Sequence, residues 1–175
     1  NLPFQYSLHR VDDDGSLRHM EFLDTSGEDP RRALAEQLIM DCGNEGAVFV
    51  YYAGFEKTRL SELSKLYPDL CNSLDALNAR VVDLHPIARD CYYNPRQRRG
   101  WSLKAVAPAI APELSYEDLE GVKVGSDAGI AYLEAVAPET TSERKEELRQ
   151  QMLEYCKLDT LATVKIWQFF EKAEC

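Results

Sequence analysis

Several absences narrow what this sequence can be. No apolar run in its 175 residues approaches the ~18 needed to cross a membrane, and no signal-peptide pattern is visible in it. The expected partners therefore include no membrane. Paired cysteines are lacking: the five, Cys42, Cys71, Cys91, Cys156 and Cys175, are odd in number, scattered, and form no C-x-x-C pair. That argues against a disulfide framework or a zinc site and for reduced thiols in the cytoplasm. Basic residues are outnumbered 20 to 30 by acidic ones, and the net charge of −10 argues against broad, charge-driven binding of nucleic acid. It leaves room for an acidic site that holds divalent cations at a phosphate chain. Repeats, low-complexity tracts and linkers are missing too, so residues 1–175 read as one domain. The chain opens at Asn1-Leu2-Pro3 without an initiator Met, and the expectation is a fragment of a longer protein with further domains.

What is present is ordinary for a soluble globular protein, 45% apolar and 29% charged. Phe4 to Val11 and Leu17 to Leu23 read as strands joined by the turn Asp12-Asp13-Asp14-Gly15, an antiparallel hairpin. The acidic triplet reads as a solvated turn, because calcium-loop spacing does not continue beyond it. Pro30 to Cys42 is a helix with Asp29 as its N-cap, Leu34, Leu38 and Ile39 inside, and Gly43 at its end. The apolar run Ala47 to Tyr52 predicts a strand covered on both faces. Helices follow from Phe55 to Tyr67 and Leu70 to Ala79, then a strand from Arg80 to Leu84 and a helix from Pro86 to Tyr92 capped by Asp83. Pro108 and Pro112 are expected to interrupt the helix that begins at Trp101. Ser115 to Gly125 is irregular, and Gly125 to Val136 is helical. Two antiparallel strands followed by alternating helices and strands predict one mixed sheet with helices on its faces.

The last long stretch, Ser142 to Glu174, carries an apolar stripe through Met152, Tyr155, Asp159, Ala162, Ile166 and Phe169. Tyr155 and Asp159 do not suit a plain core, where a carboxylate is costly unless paired or holding a metal. Glu56 lies just past the carboxyl end of the central strand, the edge where α/β sheets gather ligands, although a first-turn Glu also complements a helix dipole. Two-metal phosphodiester cleavage needs several such carboxylates, and a tyrosine one turn from one of them can orient the attacking water. From Tyr92 to Lys104 no acid intervenes: Arg96, Arg98, Arg99 and Lys104 alternate with Tyr93 and Trp101, a composition that suits phosphate contact and base stacking or a solvated loop.

The order of four segments resembles the DEDD 3′–5′ exonucleases, in the branch whose last motif carries a tyrosine. Tyr52-Ala53-Gly54-Phe55-Glu56 is similar to that superfamily's second motif, Asn-Ala-x-Phe-Asp. Val82-Asp83-Leu84-His85-Pro86 and Trp101-Ser102-Leu103-Lys104 resemble the segments that follow, and Tyr155-Cys156-Lys157-Leu158-Asp159 matches the third motif. The run from Phe4 to Ala162 looks closest to an uncharacterised bacterial domain family of this exonuclease-like type. The resemblance implies an α/β, ribonuclease H-like mixed sheet flanked by helices. It implies hydrolysis of phosphodiester bonds at a 3′ end of single-stranded DNA or RNA, with Mg²⁺ or Mn²⁺. Glu56 and Asp159 would be metal ligands, Tyr155 a catalytic partner, and Phe55, Arg96, Arg98, Arg99 and Lys104 substrate contacts. The chain departs from the pattern in three places: Tyr52 stands for Asn, Glu56 for Asp, and the first motif, Asp-x-Glu on the first strand, has no match. The expectation is that this strand lies upstream of Asn1. Two rivals follow: a nucleic-acid or protein binding module that keeps the fold without catalysis, and a domain in which Asp159 is a structural acid paired with an arginine.

Overall fold

A computed structural model describes residues 2–12, 14–97 and 100–172. Arg98 and Arg99, two of the expected substrate contacts, lie outside the described residues. The chain opens with the predicted hairpin. Strand β1 (Gln5–Val11) pairs antiparallel with β2 (Leu17–Leu23), Gln5 opposite Leu23 and Val11 opposite Leu17. Gly15 supplies the left-handed residue of the turn at φ +80°, and its N–H donates to Asp12 at 2.8 Å. The Asp12 carboxylate is taken up by Arg18 at 2.6 Å.

Helix α1 (Arg31–Cys42) starts where Asp29 accepts the Arg31 N–H and stops at Gly43. Strand β3 (Val48–Val50), helices α2 (Gly54–Leu66) and α3 (Cys71–Ala79), strand β4 (Val81–Asp83) and helix α4 (Leu84–Cys91) follow. Strands β3 and β4 are parallel, with Val50 opposite Asp83. The right-handed logic of a strand, a crossover and a parallel strand places α2 and α3 over this pair.

Two expectations need correcting here. The predicted single mixed sheet is instead two separate two-stranded sheets among the described residues, β1–β2 and β3–β4. The predicted strand from Ala47 to Tyr52 is three residues long and is not covered on both faces: Phe49 is 36% exposed and lies against Trp167, ring centroids 5.6 Å apart. The strand ends early because Tyr52 takes a left-handed backbone, φ 69°, that no ladder accommodates.

Helices α5 (Leu103–Ile110), α6 (Gly125–Ala135) and α7 (Ser142–Lys172) complete the fold. Pro108 does not interrupt α5 as expected. It stands inside the helix, which runs two residues further. The α7 stripe is buried at Met152, Ala162 and Ile166 and runs out to solvent at Phe169, 40% exposed. Along its length α7 joins two cores. Its Leu148 and Met152 pack with α6, and its Ala162 and Ile166 pack with α4 and α5. A third core holds α1, α2 and α3 against β4, with Tyr6 and Phe22 of the hairpin packed on it. The chain is thus mixed α/β, and among the described residues no helix is long and apolar enough to cross a membrane.

Candidate functional site

The anomaly on α7 becomes a polar centre. Asp159 is half-buried, and its Oδ1 accepts the hydroxyl of Tyr116 at 2.8 Å. Burial pushes its carboxyl above the ordinary carboxylate range, while the hydroxyls of Tyr116 and Tyr155 and the ammonium of Lys104 pull the other way. Lys104, in the first turn of α5, puts its Nζ 4.9 Å from the ring centroid of Tyr116 and 4.9 Å from that of Tyr155. It is held there by the Lys123 carbonyl, to which it donates. The ammonium between two rings is a cation–π clamp. Tyr155 and Tyr116 are both driven toward their neutral phenols, first by burial and then by the Asp159 charge. The first turn of α5 and the stretch before α6 thus meet the distant α7 around one carboxylate.

The second centre lies at the carboxyl end of β3 and β4. Asp83 caps α4 as predicted, accepting the His85 N–H at 2.9 Å. It also reaches back across the sheet, accepting the N–H of Tyr52 at 3.0 Å and of Ala53 at 2.9 Å. Although burial works against its charge, these three donors hold Asp83 below the usual carboxylate range. Glu56 sits in the first turn of α2 beside it, half-buried, with Oε2 enclosed and without a hydrogen-bond partner among the described residues. Burial, and to a lesser extent the Asp83 charge, raises the Glu56 carboxyl. Phe55 is 64% exposed with the Arg59 guanidinium 5.5 Å from its ring centroid. Tyr52 stacks on His85, centroids 3.8 Å apart.

Of the predicted basic contacts, Arg96 is exposed and shares with Lys104 a hollow of about 410 Å³ that also includes Ser102 and Pro108. Trp101 is turned inward, its Nε1 donating to the Tyr92 carbonyl at 3.3 Å. The predicted residues thus fall into two groups: Tyr155, Asp159, Lys104 and Arg96 around α7 and α5, and Phe55 with Glu56 at the sheet edge. Among the described residues no cluster of three or more His, Cys, Asp or Glu is close enough to hold a metal ion. No arginine pairs with Asp159 among the described residues; its cation is Lys104.

Sequence reasoning missed two things. Tyr116 lies in the irregular stretch before α6, where no periodicity marks it, and it meets Asp159 only through the tertiary fold. A polar cluster also docks the hairpin onto α7: Ser7 Oγ lies 2.9 Å from His19 Nε2 and 2.8 Å from Thr160 Oγ1, and His9 Nδ1 lies 2.8 Å from Thr160 Oγ1. Strand alternation puts Ser7, His9 and His19 on one face of the hairpin, a signal available in the sequence. These contacts pin α7 one residue beyond Asp159.

Fold and site together define a mixed α/β domain with two carboxylate centres, one on its last helix and one at a parallel sheet edge. A family model described as a domain of unknown function (DUF2779) matches residues 1–102, and the chain belongs to that family. The matched part includes the hairpin, Glu56, Asp83 and the start of the Trp101 segment. No curated protein and no solved structure matches the chain.

Proposed function

We propose that this chain is the exonuclease-type domain of a metal-dependent nuclease that hydrolyses phosphodiester bonds from a 3′ end of single-stranded DNA or RNA. The observation that carries the reading is the meeting of Lys104 with Tyr155 and Asp159. These residues belong to two segments of the exonuclease resemblance, lie far apart in sequence, and share one polar centre beside the hollow that holds Arg96.

The finer fold follows from the same resemblance. The β1 contact with α7 at Thr160 and the β3 contact at Trp167 are two helical turns apart, about 10 Å. That is about two strand spacings. One further strand between β1 and β3 would merge the two sheets into a ribonuclease H-like mixed sheet. An Asp-x-Glu on that strand would bring the carboxylates that a two-ion centre needs beyond Glu56 and Asp159.

The donor chemistry of the two carboxylates fits Mg²⁺ or Mn²⁺. Both are raised by burial, and Glu56 keeps one enclosed oxygen unpartnered among the described residues, a cost that a hard cation would relieve. Glu56 and Asp159 would hold the ions, which supply charge neutralisation and an activated water. Tyr155 would orient that water through its hydroxyl. Lys104 and Arg96 would receive the phosphate chain, and Phe55 would meet the substrate at the sheet edge.

The test is digestion of a labelled single strand in Mn²⁺ by the chain and by its full-length gene product. Asp159→Asn should lower the rate about a hundredfold. No digestion of DNA or RNA by either protein would sink the reading. The separate surroundings of Glu56 and Asp159 favour one alternative, a binding module that keeps the fold without catalysis. It would bind single strands equally well with and without divalent cations, and cut none.

A further inference from the structure

The sheet-edge centre holds a feature that the hydrolytic reading does not use. Tyr52 is the one non-glycine residue among those described with a positive φ, 69°. A left-handed backbone on an aromatic residue is strained and persists only where its surroundings fix it. Asp83 does the fixing, by accepting the N–H groups of Tyr52 and Ala53 from the neighbouring strand. The consequence is the placing of one ring. Tyr52 lies nearly parallel to His85, centroids 3.8 Å apart and planes 22° apart, and Tyr51 meets both rings edge-on at 5.7 and 5.5 Å. Tyr51 is itself buried and anchored by its hydroxyl to the Trp101 carbonyl at 2.7 Å, so the ledge rests on the core. Tyr52 nonetheless remains 52% exposed, with Phe55 one turn on and 64% exposed.

A strained, braced, outward-facing aromatic pair does little for the core. Burial of Tyr52 would have served stability better. What it offers is a flat surface whose one side is already backed by His85. Planar rings stack on such a surface whatever their sequence identity, and single-stranded nucleic acids are bound in this way. The geometry points to Tyr52 and His85 as a stacking ledge for an unpaired nucleobase of the substrate, with Asp83 as the residue that positions it. This assignment rests on the nucleic-acid reading above and extends it to two residues and one ligand class.

The experiment compares two short, labelled single strands in metal-free buffer, one intact and one whose 3′-terminal residue is abasic. Binding is read by fluorescence anisotropy. The chain should bind the intact strand about tenfold more tightly than the abasic one. Tyr52→Ala and His85→Ala should bind both strands equally, whereas Tyr52→Phe should keep the preference. Tyr52→Gly guards against misfolding, because glycine accepts the left-handed backbone. It should unfold at the temperature of the parent chain or above, yet lose the preference. Equal binding of both strands by the parent chain would overturn the ledge, as would a preference that survives in Tyr52→Gly. The two readings fail separately: discrimination without cleavage in any divalent cation keeps the ledge and removes the hydrolysis, and cleavage without discrimination does the reverse.

Discussion

The two carboxylate centres solve the same problem in different ways. Asp83 and Asp159 both sit on regular elements in positions where a charge costs free energy. Asp83 is compensated by three backbone N–H groups, two in the β3–α2 turn and one in the first turn of α4, which as main chain cannot swing away. Asp159 is compensated by side chains, the hydroxyls of Tyr116 and Tyr155 and the ammonium of Lys104, which can leave. Accordingly Asp83 is held below its ordinary range and Asp159 is held above it. Glu56, beside Asp83, has an oxygen without a partner among the described residues and is raised too. A carboxylate bound by backbone is part of the scaffold. One bound by movable side chains, or not bound, is free to take a ligand.

The largest expected effect breaks the scaffold side of this comparison. Asp83→Ala removes the acceptor of three N–H groups at once, releases the α4 cap, and frees the β3–α2 turn. The expected loss is about 2 kcal/mol, with water satisfying part of what is exposed. For a chain of this length that lowers the midpoint by about 6 °C, measurable by calorimetry or urea melts. Asp83→Asn keeps one acceptor oxygen, enough for the N–H groups of Tyr52 and His85 that share Oδ1, and should lose less. A melt unchanged by Asp83→Ala would remove the distinction between the two centres.

Next in size is the hydroxyl on Asp159. Tyr116→Phe takes away a 2.8 Å hydrogen bond to a half-buried carboxylate and leaves the ring beside Lys104 in place. About 1.5 kcal/mol should be lost at pH 7, because the donor served a charged acceptor. The Asp159 carboxyl, already raised, should rise further, which carboxyl carbon shifts followed by NMR through the acid range would report. If Asp159 titrates unchanged in Tyr116→Phe, Lys104 and not the tyrosine governs it.

How much of this was legible in the sequence follows from the range of each contact. The elements were marked locally. Pro30 and Gly43 bracket α1, the turn glycine marks the hairpin, and the three- and four-residue steps of α7 announce its buried side. The Asp83 cap was legible because its acceptor and the His85 N–H are near neighbours. Its hold on Tyr52 and Ala53 was not, since those donors arrive only when β3 pairs with β4. Tyr116 was hidden for the same reason. The early end of β3 was also hidden, because Val-Phe-Val-Tyr-Tyr reads as continuous strand. The Tyr52 and Ala53 N–H groups that would continue the strand are instead taken up by Asp83, which holds the chain turned after Tyr51. Pro108 misled in the opposite sense: it lacks the N–H that a helix interior uses, yet near the end of α5 the missing bond costs little enough for packing to override.

The smallest expected effect sharpens the comparison at Glu56. Its folded carboxyl is raised above the ordinary glutamate value, chiefly by burial and then by the Asp83 charge. In the folded state it therefore keeps a proton that the unfolded chain releases earlier as pH rises. Stability must fall with rising pH across the window that starts near the unfolded value and ends at the raised one. Glu56→Gln has no charge to bury, so in metal-free buffer it should melt above the parent chain at pH 7. Well below the ordinary glutamate value, where both side chains are neutral in the folded and the unfolded chain, the two midpoints should coincide. Asp83→Asn should behave in the opposite sense, losing its deficit as pH falls, because Asp83 is lowered by folding. Mn²⁺ adds a final discrimination. If Glu56 is a ligand, the ion should close the gap at pH 7 by stabilising the parent chain and leaving Glu56→Gln where it was. A gap that Mn²⁺ does not alter would make Glu56 a buried carboxylate without a metal.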